Sequence, residues 1–178
     1  DMATLNSKNI LRHWGSLKGE VIFDNTRTRL INIYYGTRFK IFGEYYKELT
    51  TSRSDMFVIG GDFRNYLKIH RELIWANRFA ASTSFGPTRL AYYLGGVDNW
   101  MGYFFNKYPM FDYSIPVNPN INYGFQALAT NMRGFSQNIR NGTSFVVFNS
   151  EIRWPVVRYL AGHPLKSNLL NSLQLVGF

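Results

Sequence analysis

Alternation of apolar and polar side chains over segments longer than a dozen residues most limits what this chain can become. Along Arg29–Tyr46 the odd positions Ile31, Ile33, Tyr35, Phe39, Ile41 and Tyr45 are apolar or aromatic, whereas Asn32, Arg38, Lys40 and Glu44 occupy even ones. Met56–Ile69 repeats the pattern, with Phe57, Ile59, Phe63, Leu67 and Ile69 set against Asp62, Arg64, Tyr66 and Lys68. A period of two sorts side chains onto the two faces of a strand, which a helix of period 3.6 cannot do. Shorter or weaker versions at Leu17–Phe23, Glu72–Phe85, Thr143–Val156 and Leu169–Phe178 bring the set to about six strands. The fold class expected is all-β.

The two long segments exceed the roughly 9–11 residues that a tilted strand needs to cross a bilayer. No run approaches the roughly 20 apolar residues of a membrane helix, and the mean hydropathy is −0.21. That excludes a helical membrane protein and leaves a membrane barrel open, because its strands average lipid-facing with lumen-facing residues. Aromatic residues make up 17% of the chain, with 15 Phe, 12 Tyr and 4 Trp. Tyr and Trp suit a membrane–water boundary, where one end of the ring is apolar and the other bonds to water. The links alternate in length: residues 24–28 and 70–71 are tight, Lys47–Asp55 is longer, and nearly fifty residues separate Leu94 from Gly142. Short turns at one end and long loops at the other are the habit of outer-membrane barrels.

Six strands cannot close such a barrel, since the smallest have about 8, and an open sheet in lipid would leave its edges unpaired. Residues 1–178 are therefore expected to form one domain, a portion of an antiparallel transmembrane β-barrel. The missing strands are expected before Asp1, after Phe178, or both. The Asp1-Met2-Ala3 start, without a signal peptide, and the apolar end at Phe178 read as the edges of a fragment. Truncation is preferred to the other reading of Phe178, a terminal aromatic assembly signal.

The net charge of +9 raises nucleic acid as a partner, but the cations alternate along strands and never form a run of five. A lumen lined by Arg38, Lys40, Arg64, Lys68 and Arg153 accounts for them equally well, so no nucleic acid is expected. With no cysteine there is neither a disulfide framework nor a thiolate metal site. His13, His70 and His163 lie far apart without metal-ligand spacing. Neither a Gly-x-Ser-x-Gly elbow nor a phosphate-binding loop is present. No enzymatic chemistry and no cofactor are expected. Asn141-Gly142-Thr143 fits a glycosylation acceptor formally and is read as a tight turn.

The connection 94–142 is too long and too aromatic for a plain linker, carrying Trp100, Tyr103, Phe104, Phe105, Tyr108, Phe111, Tyr113, Tyr123 and Phe125. Gly95-Gly96 supplies the backbone freedom for a sharp exit, and Pro109, Pro116 and Pro119 stiffen the middle. The spacing of Phe125, Leu128, Ala129 and Met132 predicts a short helix that delivers Arg133. The segment Met132-Arg133-Gly134-Phe135 closes the loop, and Glu151 follows Arg133 by eighteen residues. In the strand after the loop, Val146, Phe148, Ile152, Trp154 and Val156 share one face, and Asn149, Glu151 and Arg153 the other. A carboxylate on an interior face needs a partner, and a guanidinium matches it bidentately. If the loop folds inward, Arg133 can pair with Glu151.

These motifs resemble the outer-membrane assembly and secretion barrels related to BamA, TamA and FhaC, the bacterial surface-antigen family. That family's sixth extracellular loop carries a Val-Arg-Gly-Phe/Tyr motif, matched by Met132-Arg133-Gly134-Phe135 with Met in place of Val. A Gly-Gly pair opens the same loop, matched by Gly95 and Gly96. The next strand's Glu-x-Arg-x-Pro pattern is matched by Glu151, Arg153 and Pro155. The likeness runs from about Leu17 to Phe178, and its long aromatic loop is in the manner of Bacteroidetes-type members. It implies that the loop arginine packs inside the lumen against acidic groups, one of them an Asp in the strand after the Glu-x-Arg strand, expected beyond Phe178. It further implies insertion or translocation of proteins at the bacterial outer membrane, without covalent chemistry. The implied partners are outer-membrane lipid, unfolded or secreted client proteins and other assembly-complex subunits. A partner-secretion pore of the FhaC type, or a barrel that anchors an upstream domain, is the alternative.

Overall fold

A computed structural model describes residues 13–30, 33–49, 54–96, 111–132, 134–162, 167, 170 and 173–178. Ten strands and one short helix follow one another along the described chain. They are β1 (Trp14–Asp24), β2 (Arg27–Leu30), β3 (Ile33–Glu48), β4 (Asp55–His70), β5 (Leu73–Phe85), β6 (Arg89–Leu94), β7 (Tyr123–Leu128), β8 (Arg140–Gly142), β9 (Ser144–Trp154), α1 (Val156–Ala161) and β10 (Leu175–Gly177). The protein is all-β, and none of its described helices is long and apolar enough to cross a membrane.

The larger sheet has seven strands, ordered β1-β3-β4-β5-β9-β10, with β2 paired to β3. It is antiparallel and does not close on itself. Its six-strand path follows the six segments that alternation predicts, and Met56–Ile69 differs from β4 by one residue at each end. The second sheet, ordered β7-β6-β8, is built from the long connection and the strand leading into it. There β6 pairs in parallel with β7 and antiparallel with β8.

Four expectations need correcting. The segment from Tyr123 to Leu128 is strand β7 and not the helix that the spacing of Phe125, Leu128, Ala129 and Met132 predicts before Arg133. Val156 does not continue β9. Pro155 has no N–H to donate to a ladder, and the chain turns into α1, which ends at Gly162 in the left-handed region. Of the predicted strand Leu169–Phe178, only Leu175–Gly177 is strand among the described residues. The alternation through β3 also breaks, since Ile33 is fully buried whereas Ile41 is 56% exposed. Between them Gly36 has φ +105, and a Cβ there would lie 2.7 Å from Asn25 Oδ1. A left-handed residue inside a strand acts as a bulge and shifts the parity of what precedes it. Ile31 and Asn32 lie outside the described residues.

The chain divides into two compact units. The first comprises residues 1–20, 42–60 and 81–146. Its core is Met56 and Val58 of β4 with Leu90 and Tyr92 of β6, against which Phe42, Tyr46, Phe125, Ala127, Ala129 and Phe145 pack. Each buried side chain of this size contributes about 1.5–3 kcal/mol by leaving water. The other face of β4 in this unit carries Phe57 and Ile59, both exposed.

The second unit comprises residues 21–41, 61–80 and 147–178. One of its faces is polar and paired: Asp62 accepts from Arg64 Nε at 2.7 Å and from Arg78 Nε at 2.8 Å. Its other face exposes Phe63, Leu67, Ile69, Trp75, Phe79, Phe148 and Ile152. The helix α1 docks on the β4–β5 turn. There Tyr159 Oη lies 2.8 Å from His70 Nδ1, Arg71 donates to the Tyr159 carbonyl at 3.1 Å, and Arg158 sits 3.6 Å from Glu72.

Candidate functional site

The long connection is a folded element rather than an irregular loop, and β6 organises it. Leu90, Ala91, Tyr92 and Tyr93 are all buried, because β6 is the middle strand of its sheet and is covered on both sides. Tyr92 Oη bonds to Ser82 Oγ at 2.8 Å, and the Tyr93 ring meets Phe111 edge-on at 5.1 Å. Burial pushes the hydroxyls of Tyr93 and Tyr123 above the ordinary tyrosine range.

Two motifs that stand far apart in sequence are joined at the end of β6. Gly96 N–H donates to the Phe135 carbonyl at 3.1 Å, and Met132 N–H donates to the Gly96 carbonyl at 2.8 Å. Ile139 N–H reaches the Leu94 carbonyl at 3.0 Å. The backbone at Gly95 has φ +104, and a Cβ there would collide with the Ser136 carbonyl oxygen. Gly96 and Gly134 have φ +76 and +84, but a Cβ on Gly134 would meet nothing within 4 Å. Gly95 is thus required by space as well as by dihedral, and Gly134 by dihedral alone. The Phe135 ring is exposed.

The return of the loop is anchored by residues that carry no recognisable motif. Asn138 is 1% exposed and left-handed, with φ 65. Its Nδ2 donates to the carbonyls of Asp112 at 2.7 Å and Ile115 at 3.1 Å, while its Oδ1 accepts from Asn141 at 2.9 Å. Asp112 N–H donates to the Gln137 carbonyl at 2.8 Å. The Asp112 carboxylate accepts from the Ser114 hydroxyl and backbone N–H, which hold it below the usual carboxylate range. An Asn beside Gln137 is a weak signal of a left-handed turn, since Asn tolerates that region better than most residues.

What holds the loop against the first unit's sheet is mainly aromatic. Phe125 of β7 meets Tyr46 edge-on at 5.2 Å and Trp14 at 6.4 Å, and Tyr92 meets Phe145 at 5.0 Å. These contacts lie on the Met56–Val58 face, away from Phe57 and Ile59. The loop therefore folds onto the side opposite the exposed apolar one.

Arg133 lies outside the described residues, as do Trp100, Tyr103, Phe104, Phe105, Tyr108 and Pro109. Glu151 and Arg153 fall in the second unit, on the polar face of β9, with Val146, Phe148 and Ile152 exposed on the other. Arg153 Nη2 and Nε donate to one carboxylate oxygen of Glu151 at 3.0 and 3.2 Å. The same guanidinium stacks over the Tyr66 ring at 5.6 Å. Asn141 belongs to β8 and donates to the carbonyls of Ile115 and Pro116. Compared with protein-family models, curated proteins and solved structures, the chain gives no match.

Proposed function

We propose that this chain is part of an outer-membrane β-barrel that inserts or translocates proteins at the membrane without covalent chemistry. The observation carrying the membrane part is the contrast between the two faces of β4, β5 and β9. One face exposes Phe57, Ile59, Phe63, Leu67, Trp75, Phe79, Phe85, Val146, Phe148 and Ile152. A soluble protein rarely leaves so many apolar side chains on one face in water, whereas acyl chains solvate them. The few polar groups on that face bond to one another, as they must where no water is available. Trp75 Nε1 donates to Ser150 Oγ at 2.8 Å, Ser150 donates to Asn77 Oδ1 at 3.0 Å, and Thr83 and Ser144 share a bond of 2.7 Å.

Strand length supports the same reading. Trp75 and Phe85 are the first and last of the exposed aromatic residues of β5, and the ten steps of extended chain between them rise about 33 Å. At a tilt of 35–45° this matches an apolar band about 25 Å tall with aromatic girdles. The open sheet then requires neighbouring strands to complete a barrel. The other face, with its ion pairs and inward-folded loop, becomes the lumen side.

The assembly role rests on the motifs: Gly95-Gly96 and Met132-x-Gly134-Phe135 meet at one place, and Glu151 and Arg153 face the polar side. Arg133 is the proposed tether of the loop. Client proteins, outer-membrane lipid and other assembly subunits are the partners. Reconstitution of the full-length protein into lipid vesicles tests this, with the folding rate of an unfolded barrel client as the readout. Acceleration by the wild type, and its reduction by Arg133→Ala, are expected. A protein that embeds stably but speeds no client keeps the barrel and loses the function. Unchanged heat-modifiable mobility together with unchanged client folding in Arg133→Ala removes the tether.

A further inference from the structure

The positive charge of the chain is distributed unevenly. The second unit holds 11 Lys and Arg against 4 Asp and Glu, a balance of +7, and the first holds 9 against 7, a balance of +2. Together they make the net +9. The four acids of the second unit are Asp24, Asp62, Glu72 and Glu151. All four already accept from the protein's own groups. Asp62 holds Arg64 and Arg78, Glu151 holds Arg153, Asp24 lies 3.6 Å from Arg38, and Glu72 lies 3.6 Å from Arg158 while accepting from Tyr35 Oη at 2.8 Å. Whatever further pairs form inside this unit, seven cations exceed its acids.

Many of the cations lie on one side of the sheet. Arg64 and Arg78 reach the same carboxylate from β4 and β5, and Arg153 of β9 covers Tyr66 of β4. Lys68, two and four positions along β4 from Tyr66 and Arg64, lies 5.7 Å from the Tyr35 ring, and Arg29 lies 5.9 Å from that ring. The alternate positions of these strands in this unit, Phe63, Asn65, Leu67 and Ile69 of β4, Trp75, Asn77 and Phe79 of β5 and Phe148, Ser150 and Ile152 of β9, hold no charged residue. Cations on one wall of a low-dielectric cavity focus a positive potential into it, and pores lined by Arg and Lys select anions.

We infer that the polar face of the second unit makes the lumen of this barrel an anion-selective path, with small inorganic anions as the permeant class. This rests on the lumen reading given above. The selectivity arises from unbalanced charge rather than from a size filter, so it follows ionic strength. It is strongest near 0.1 M salt, where the screening length is about 10 Å, and fades near 1 M, where it is about 3 Å.

The test is the reversal potential of the full-length protein in planar bilayers under a potassium chloride gradient. Its incorporation is checked in parallel by resistance to alkaline extraction from vesicles. A chloride-to-potassium permeability ratio of about 3 or more is expected at low salt, falling toward 1 at high salt. Arg38→Glu combined with Lys68→Glu lowers the balance of the second unit from +7 to +3 and should bring the ratio close to 1. Both side chains are exposed, and an unchanged thermal midpoint shows that the variant folds. Membrane incorporation with no current, with a cation-selective current, or with a ratio indifferent to the double substitution overturns the inference and leaves the barrel reading in place. A protein that does not incorporate overturns both.

Discussion

Gly95 is the residue at which dihedral and space act together. Gly95→Ala must place a methyl against the Ser136 carbonyl and hold an L-residue at φ +104. We predict a loss of about 2–4 kcal/mol. Gly134→Ala meets no neighbour and carries only the dihedral penalty, about 1 kcal/mol. Chemical denaturation of the two variants gives the ranking, and equal losses would refute this account of the turn. At Asn138, replacement by Ala takes the side-chain donor from the half-buried Asp112 carbonyl and leaves the Ile115 carbonyl only its longer bond from Asn141, for an expected loss of about 1–3 kcal/mol. Asp112 adds a pH dependence. Its folded pKa is depressed, so its contribution is fully present above its ordinary value of 3.8 and is lost as pH falls through the lower folded value. The protection of the Ser114 amide against exchange, relative to its intrinsic rate at each pH, should therefore fall only below about pH 4, and a fall nearer neutrality would assign the turn to another group. Of these residues, Gly95 and Gly134 were legible in the sequence as motif glycines. Asn138 was not, because nothing local marks the two carbonyls it serves.

At the scale of elements, the strands with one exposed face were the readable ones. β4 alternates because Met56 and Val58 face a core while Phe57 and Ile59 do not, and that contrast is written directly into the order of residues. β6 escaped notice for the opposite reason. Leu90-Ala91-Tyr92-Tyr93 is covered on both sides, so it shows an apolar run instead of a period. β7 misleads by spacing: Phe125, Leu128, Ala129 and Met132 suit a helix, but pairing with β6 fixes the segment as a strand. The helix α1 had signals, Pro155 at its start and Gly162 just past its end, that the apolar alternation of β9 overshadowed. The aromatic seat of β7 yields a prediction here. Phe125→Ala removes the contacts to Tyr46 and Trp14 and should cost about 3–4 kcal/mol. Proteolysis under native conditions should then cut near β7 while β4 and β5 stay protected. Equal protection of β7 in variant and wild type would show that the loop is held by other contacts.

For the whole molecule, the organising physical fact is one sheet with two chemically different faces. On the proposed reading, lipid is the solvent that its exposed apolar face meets. The described residues add to the Arg133–Glu151 pairing expected from the sequence an Arg153–Glu151 pair on the polar face of β9 and an aromatic seat for the loop in the first unit, while Arg133 itself lies outside them. Polar substitution on the outer face should be costly in proportion to depth. Phe148→Arg is expected to reduce folding into bilayers by about 2–4 kcal/mol while leaving solubility in detergent intact. The most direct test uses the absence of cysteine from these 178 residues. Single cysteines at positions 145, 146, 148, 149 and 152 of β9, each carrying a fluorophore, are to be read in vesicles containing lipids with quenchers on their acyl chains. The account predicts strong quenching at 146, 148 and 152 and little at 145 and 149. Uniform quenching along β9, or none at the exposed positions, would contradict the claim that this face meets lipid.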